Sequence, residues 1–250
     1  IYGMGVIVGP TLGPPLGGYI VDRFSWPFIF YINIPIGIIA ALLTLSFIKS
    51  PKYGVKLKAN QVDWLGIFFL SAFIGSLQFV LEHGQQDDWF NDPVIVTLSV
   101  VSFFGLLFFI WRELTYEHPI VNLRVLKDSN LRIGTIMCFI LGFGLYGSTF
   151  IIPIYTQSIL GWSATDAGLL LIPSSITTGI MMPFIGKMIQ KGIPQTYLVA
   201  AGFFVFFAFT YWMHLVITPD SGEEHMYWPL ILRGVGLGLL FVPITTLSLS

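Results

Sequence analysis

Charge is scarce. Asp, Glu, Lys and Arg make up 10% of the 250 residues, against about a quarter in an ordinary soluble domain. That shortage excludes a solvated surface over most of the chain. With 55% hydrophobic residues and a mean hydropathy of +0.81, the chain reads as an integral membrane protein. The net charge of −1 and the absence of a basic tail or patch speak against nucleic acid as a partner. One cysteine, Cys138, rules out a disulfide within the chain, and its apolar surroundings read as those of a small core residue. Of the four histidines, His83, His118 and His225 fall in loops and His214 near a span end, so no metal site is expected. No Ser/His/Asp or paired-acid arrangement lies within a span, and neither an enzyme nor a cofactor is expected. There is no initiator Met and no signal-peptide pattern, and both ends lie in apolar stretches, so the chain reads as a piece of a longer protein.

What is present is a series of long apolar runs. Crossing hydrocarbon as a helix takes roughly 20 apolar residues. The charged residues divide the chain into eight such pieces, near 2–21, 27–48, 64–82, 94–111, 133–156, 166–186, 196–216 and 228–249. Helices are the expected form, because lipid satisfies no backbone polar group. Lys49, Lys52, Lys56, Lys58, Arg112, Arg124, Lys127, Arg132, Lys187 and Lys191 gather in alternate connections. The other connections hold Arg23 and a set of acids: Glu82, Asp87, Asp88, Asp92, Asp220, Glu223 and Glu224. Ten of the twelve basic residues thus share one side, which the positive-inside rule makes cytoplasmic. The first span then runs outward. Single cysteines replacing Lys56 and Asp88 in a Cys138-free parent should label from opposite faces of the membrane. Labelling of both from outside would refute this orientation.

The first span carries Gly5, Gly9, Gly13 and Gly17 at intervals of four, with Pro10, Pro14 and Pro15 among them. In lipid, helices associate through close packing of small residues, so the stripe reads as a face for near-backbone contact. Leu at Gly9 or Gly13 is expected to leave insertion intact while prising two helices apart. Gly234-Val-Gly236-Leu-Gly238 in the last span also reads as a packing face. A nucleotide loop would need a preceding strand.

Few polar residues lie inside spans. Arg233 is the one strong charge well inside. It either faces a cavity and holds an anionic group there, or snorkels to the outer headgroups. In the fifth span Tyr146, Ser148, Thr149, Tyr155 and Gln157 gather in the outer half, with Tyr146, Thr149 and Gln157 near one face. Ser174, Ser175, Thr177 and Thr178 follow Pro173 in the sixth, suited to cavity lining or to interhelical hydrogen bonds. Asn33 is placed to satisfy a carbonyl freed by Pro35, or to line a cavity. Phe143 and Met181 are among the residues suited to an adaptable apolar pocket.

Gly9-Pro-Thr-Leu-Gly13-Pro-Pro-Leu-Gly17-Gly18 resembles the antiporter motif of the fifth helix in drug:proton antiporters of the major facilitator superfamily. Trp26-Pro-Phe-Ile-Phe30-Tyr-Ile-Asn33-Ile-Pro35-Ile-Gly37, Asp63-Trp-Leu-Gly66, Glu117-His-Pro119, Leu126-Lys-Asp-Ser-Asn130 and Leu239-Leu-Phe-Val-Pro243 resemble further segments of its fourteen-helix EmrB/QacA branch. The resemblance covers essentially the whole chain. It implies an all-α membrane bundle, with about eight transmembrane helices here, corresponding to helices five to twelve of fourteen. Residues 1–48 would be the last two helices of the amino-terminal bundle. Residues 49–132 would be cytoplasmic loops and two linking helices, and 133–250 the first four helices of the carboxy-terminal bundle. It further implies a multi-pass protein of the bacterial plasma membrane, exporting small amphipathic compounds by alternating access against proton entry. Its partners would be these substrates, protons, membrane lipid and, in a Gram-negative host, a periplasmic adaptor protein. The motif residues would be Gly5, Gly9, Pro10, Gly13, Pro14, Gly17 and Gly18. Since an uncharged Gln is acceptable at the position matching Arg233, the resemblance implies a modulator of substrate choice rather than an obligatory coupling residue.

Overall fold

A computed structural model describes residues 2–47 and 62–247, with side chains from Leu12 onward in the first segment and up to Thr246 in the second. The connection holding Lys49, Lys52, Lys56 and Lys58 lies outside the described residues, as do the side-chain surroundings of Gly5, Gly9 and Pro10. The described residues form helices: α1 Tyr2–Arg23, α2 Phe28–Tyr31, α3 Asn33–Phe47, α4 Trp64–His83, α5 Pro93–Thr115, α6 Ser129–Ser158, α7 Ala164–Leu169, α8 Ile172–Gln190, α9 Gln195–Val216 and α10 Glu223–Leu247. With α2–α3 and α7–α8 each taken as one segment, seven are long and apolar enough to cross a membrane. At 22 residues α1 has the length to cross as well.

Local chemistry starts and stops these helices. Asp63 caps α4 by accepting from the Gly66 N–H at 3.0 Å. Asp92 caps α5, accepting from Val94 and Ile95 N–H, with Pro93 at the first helical position. Ser163 and Asp166 form a reciprocal cap on α7: the Asp166 N–H donates to the Ser163 hydroxyl, which donates to the Asp166 carboxylate at 2.7 Å. Gly192, at φ +87°, ends α8 in the left-handed region that side chains disfavour.

The chain forms two compact units. The first comprises residues 1–48 and 129–250, the second residues 49–128. In the first, α10 is central. Of its apolar stretch 56% is buried, against 33% or less in every other span. Two apolar layers stack along it. One is built on Ile152, Leu170, Leu171, Phe209, Met213, Met226 and Leu230, the other on Leu141, Val199, Leu237, Leu240 and Ile244. Glycines set the spacing. A Cβ on Gly234 would overlap the Ser174 carbonyl oxygen of α8 and sit 2.8 Å from Thr177 Cβ, and one on Gly238 would lie 2.6 Å from Met181 Cβ. Gly236 faces the other way, towards the Phe206 backbone of α9. The alternation lets α10 lie between two helices at near-backbone distance.

The second unit is a hairpin of α4 and α5. Gly105 lets α5 approach the Phe73 backbone, and the Ser102 hydroxyl donates to the Phe73 carbonyl at 3.2 Å. At the other end the Arg112 Nε donates to both Asp63 carboxylate oxygens at 3.1 Å, and its guanidinium lies 3.8 Å from the Tyr116 ring centre. Cys138, expected in the core, is instead exposed on α6, since a small side chain in an apolar run fits a lipid-facing surface equally well.

Candidate functional site

The layer between the two apolar clusters is polar, and Arg233 is its centre. Ser148 lies ten residues before Ser158, the last of α6. Ser174 lies ten after Ala164, the first of the α7–α8 span, and Arg233 ten after Glu223, the first of α10. At about 1.5 Å per residue all three lie about 15 Å along their helices from the ends on the side of the acidic connections.

Arg233 does not snorkel. It is 4% exposed. Its Nε donates to Ser148 Oγ at 2.8 Å, one terminal nitrogen to Ser174 Oγ at 2.9 Å, and the other to Thr149 Oγ1 at 2.5 Å and the Leu145 carbonyl at 3.4 Å. The α6 hydroxyls pass their own protons to that helix: Ser148 to the Gly144 carbonyl and Thr149 to that of Leu145, both at 2.7 Å. Among the described residues no carboxylate is within ion-pair distance of Arg233, and the ion pair found is Arg112–Asp63. A guanidinium that keeps its charge inside proteins is therefore held here by neutral oxygens alone. It borders a cavity of about 110 Å³ between α6, α8 and α10, whose wall includes Thr149, Ser174, Ser175 and Thr178 and is otherwise apolar, with Leu141, Leu145, Leu171, Met182, Leu237 and Phe241.

The other sequence-derived candidates separate. Thr149 joins Arg233 at the cavity. Tyr146 is 64% exposed on another side of α6, and Gln157 is exposed and donates to the Pro153 carbonyl at 3.2 Å. Asn33 is exposed and donates to the Ile29 carbonyl at 3.2 Å, not to that of Tyr31, the residue four before Pro35. Ser148 and Ser174 hold the guanidinium although nothing in the sequence set them apart from neighbouring hydroxyls. Phe143 borders a separate crevice of about 380 Å³ between α6 and α9, and Met182 rather than Met181 reaches the Arg233 cavity.

The glycine and proline motif meets α7 and α8. Gly18 is the point of tightest approach: a Cβ there would overlap the Ala164 carbonyl. From the other side, a Cβ on Gly168 would lie 2.5 Å from the Pro14 carbonyl oxygen. Beside them the Thr165 N–H and hydroxyl donate to Asp22 at 2.8 and 2.5 Å. The Thr165 hydroxyl in particular holds the Asp22 carboxyl below its ordinary 3.8. A depressed carboxyl favours the contact above that value and releases it only as pH falls through the lowered one, so the contact persists across about pH 5–8. At Gly13 and Gly17 the space at the Cβ positions is open within 4 Å among the described residues. Glycines four apart drift around a helix of 3.6 residues per turn, and Gly18 is the one turned onto α7. Gly18→Leu should therefore lower efflux by the full-length protein far more than Gly13→Leu at equal membrane levels, and equal loss in both would overturn this assignment.

The chain matches the Major Facilitator Superfamily over residues 1–250. Over its whole length it is 36% identical to the multidrug export protein EmrB of Escherichia coli, 37% to the fatty acid resistance protein FarB of Neisseria gonorrhoeae and 28% to the colistin resistance protein EmrB of Acinetobacter baumannii. It covers 48% of each, so the chain spans about half the length of the curated relatives it matches. With seven membrane-capable helices, it is part of a multi-pass inner-membrane protein. Together the all-helical architecture and a match that leaves no part of the sequence uncovered establish that the chain belongs to the Major Facilitator Superfamily.

Proposed function

We propose that the protein containing this chain is a proton-coupled exporter of amphipathic compounds, working by alternating access between two helix bundles. The observation that carries the reading is the Arg233 cavity. It is a mostly apolar recess with one buried charge, between helices of a transporter family. A site of this kind takes up an apolar body and orients it by one polar group. The relatives named for multidrug, fatty acid and colistin resistance support export of amphiphiles. In this reading residues 1–48 move with the amino-terminal bundle, 49–132 link the halves, and 133–250 belong to the carboxy-terminal bundle. Gly5, Gly9, Pro10, Gly13, Pro14, Gly17 and Gly18 then form part of the face where the bundles meet. The α1–α7 contact at Gly18 and Asp22 closes the outer end, as an inward-facing state requires. A periplasmic adaptor protein belongs to the same proposal.

The test is efflux by the full-length protein in inverted vesicles, with amphiphilic dyes as substrates. Movement that follows an imposed pH gradient and collapses with a protonophore is expected. Equilibration independent of the gradient would make the protein a facilitator, and absence of flux would reject transport of this class.

A further inference from the structure

We propose that Arg233 is a specificity-determining residue that makes the cavity a seat for the carboxylate head of an anionic amphiphile. The assignment rests on the reading that amphiphiles enter this cavity. A buried charge in protein is ordinarily paired, because removing it from water without a counter-charge is costly. Arg233 has the burial without the pair: its four hydrogen bonds all end on neutral oxygens, and no carboxylate is within reach among the described residues. Among the described residues the site thus holds charge of one sign only.

Its geometry states what completes it. Nε is anchored on Ser148, which fixes the guanidinium plane. The two terminal nitrogens each end on a hydroxyl of the cavity wall, Ser174 and Thr149. A hydroxyl both accepts and donates. A carboxylate entering the cavity takes the two terminal nitrogens as a bidentate fork, and the Ser174 and Thr149 hydroxyls turn to donate to it instead of accepting from Arg233. No donor is lost in the exchange. A cation in the same place meets like charge. The polar end of the cavity at Arg233, Ser174 and Thr149 seats the head group, and the apolar part of its wall, including Leu237 and Phe241, takes the start of the tail.

The experiment measures binding of radiolabelled laurate and of dodecyltrimethylammonium, which share a tail length and differ in charge, to the full-length protein in nanodiscs. Arg233→Gln should weaken laurate binding roughly tenfold or more, the worth of a charge-assisted hydrogen bond, and should tighten binding of the cation. Arg233→Lys should fall between wild type and Arg233→Gln for laurate, since an ammonium lacks the planar fork. Cation binding by Arg233→Gln also reports that the variant is folded. Unchanged laurate affinity in Arg233→Gln would overturn the proposal, as would parallel loss of both ligands, which marks a structural role. Gradient-driven efflux of dye is measured on the same preparations. Its absence beside an intact preference for laurate rejects export alone, and its presence beside charge-blind binding rejects the carboxylate seat alone.

Discussion

Replacing Gly234 by alanine should destabilise the transporter and abolish its efflux, although it adds a single methyl group. That methyl would overlap the Ser174 carbonyl oxygen and press on Thr177 Cβ, in the segment where the Thr178 hydroxyl donates to the Gly234 carbonyl at 3.1 Å. A flexible side chain moves aside for a methyl, whereas a helix backbone moves only as a body. Separating α8 from α10 also withdraws Ser174 from Arg233, since the two share a hydrogen bond across that seam. Overpacking typically costs about 1–3 kcal/mol, and contact with backbone places this case at the upper end. The comparison is Gly147→Ala on α6, where nothing lies within 4 Å of the added carbon. There the gain in helix propensity, up to about 1 kcal/mol, should be all that registers. Thermal stability of the detergent-solubilised full-length protein reads both. Equal melting of Gly234→Ala and wild type would show that α8 and α10 are not in backbone contact.

The second large effect is expected in the other unit, at Asp63. Its side chain is fully buried and serves two groups: the Gly66 N–H of its own helix and the Arg112 Nε of α5. Asp63→Ala removes a helix cap, worth about 1 kcal/mol, and leaves Arg112 without its carboxylate. Breaking a buried pair from one side costs about 3–5 kcal/mol. The Arg112 side chain is 22% exposed and regains water when its partner is removed, so roughly 2–3 kcal/mol in all is the expected loss. Asp63→Asn keeps an oxygen for the cap and should lose less. Combining Asp63→Ala with Arg112→Ala should cost less than the two separate effects added, because the second change removes a charge the first has stranded. Additive losses would show that the pair contributes no coupling.

The spans were legible because hydropathy and charge act over whole segments. Each of the eight apolar stretches contains a helix within a few residues of its expected bounds where the structure describes it. The break at Leu170–Leu171, just before Pro173, was not read, since proline marks a bend without saying which residues absorb it. The packing role of Gly234, Gly236 and Gly238 was legible from spacing alone. For Gly13 and Gly17 spacing defines a stripe but not the neighbour it faces. At the site, Arg233 stood out as a charge in an apolar run and Thr149 as a hydroxyl at similar depth. Tyr146 and Gln157 carried the same signal and point elsewhere.

Composition and periodicity alone determined that this chain is helical, spans a membrane repeatedly and puts its basic loops on one side, because lipid imposes those conditions on every segment independently. The tertiary structure alone decided that Arg233 turns inward instead of snorkelling, and that Ser148, Thr149 and Ser174 receive it. Those contacts join residues 59 to 85 positions apart in the chain. Which faces of α10 meet α8 and α9 depends on the close approach that Gly234, Gly236 and Gly238 permit, a property of three helices packed together and of none of them singly.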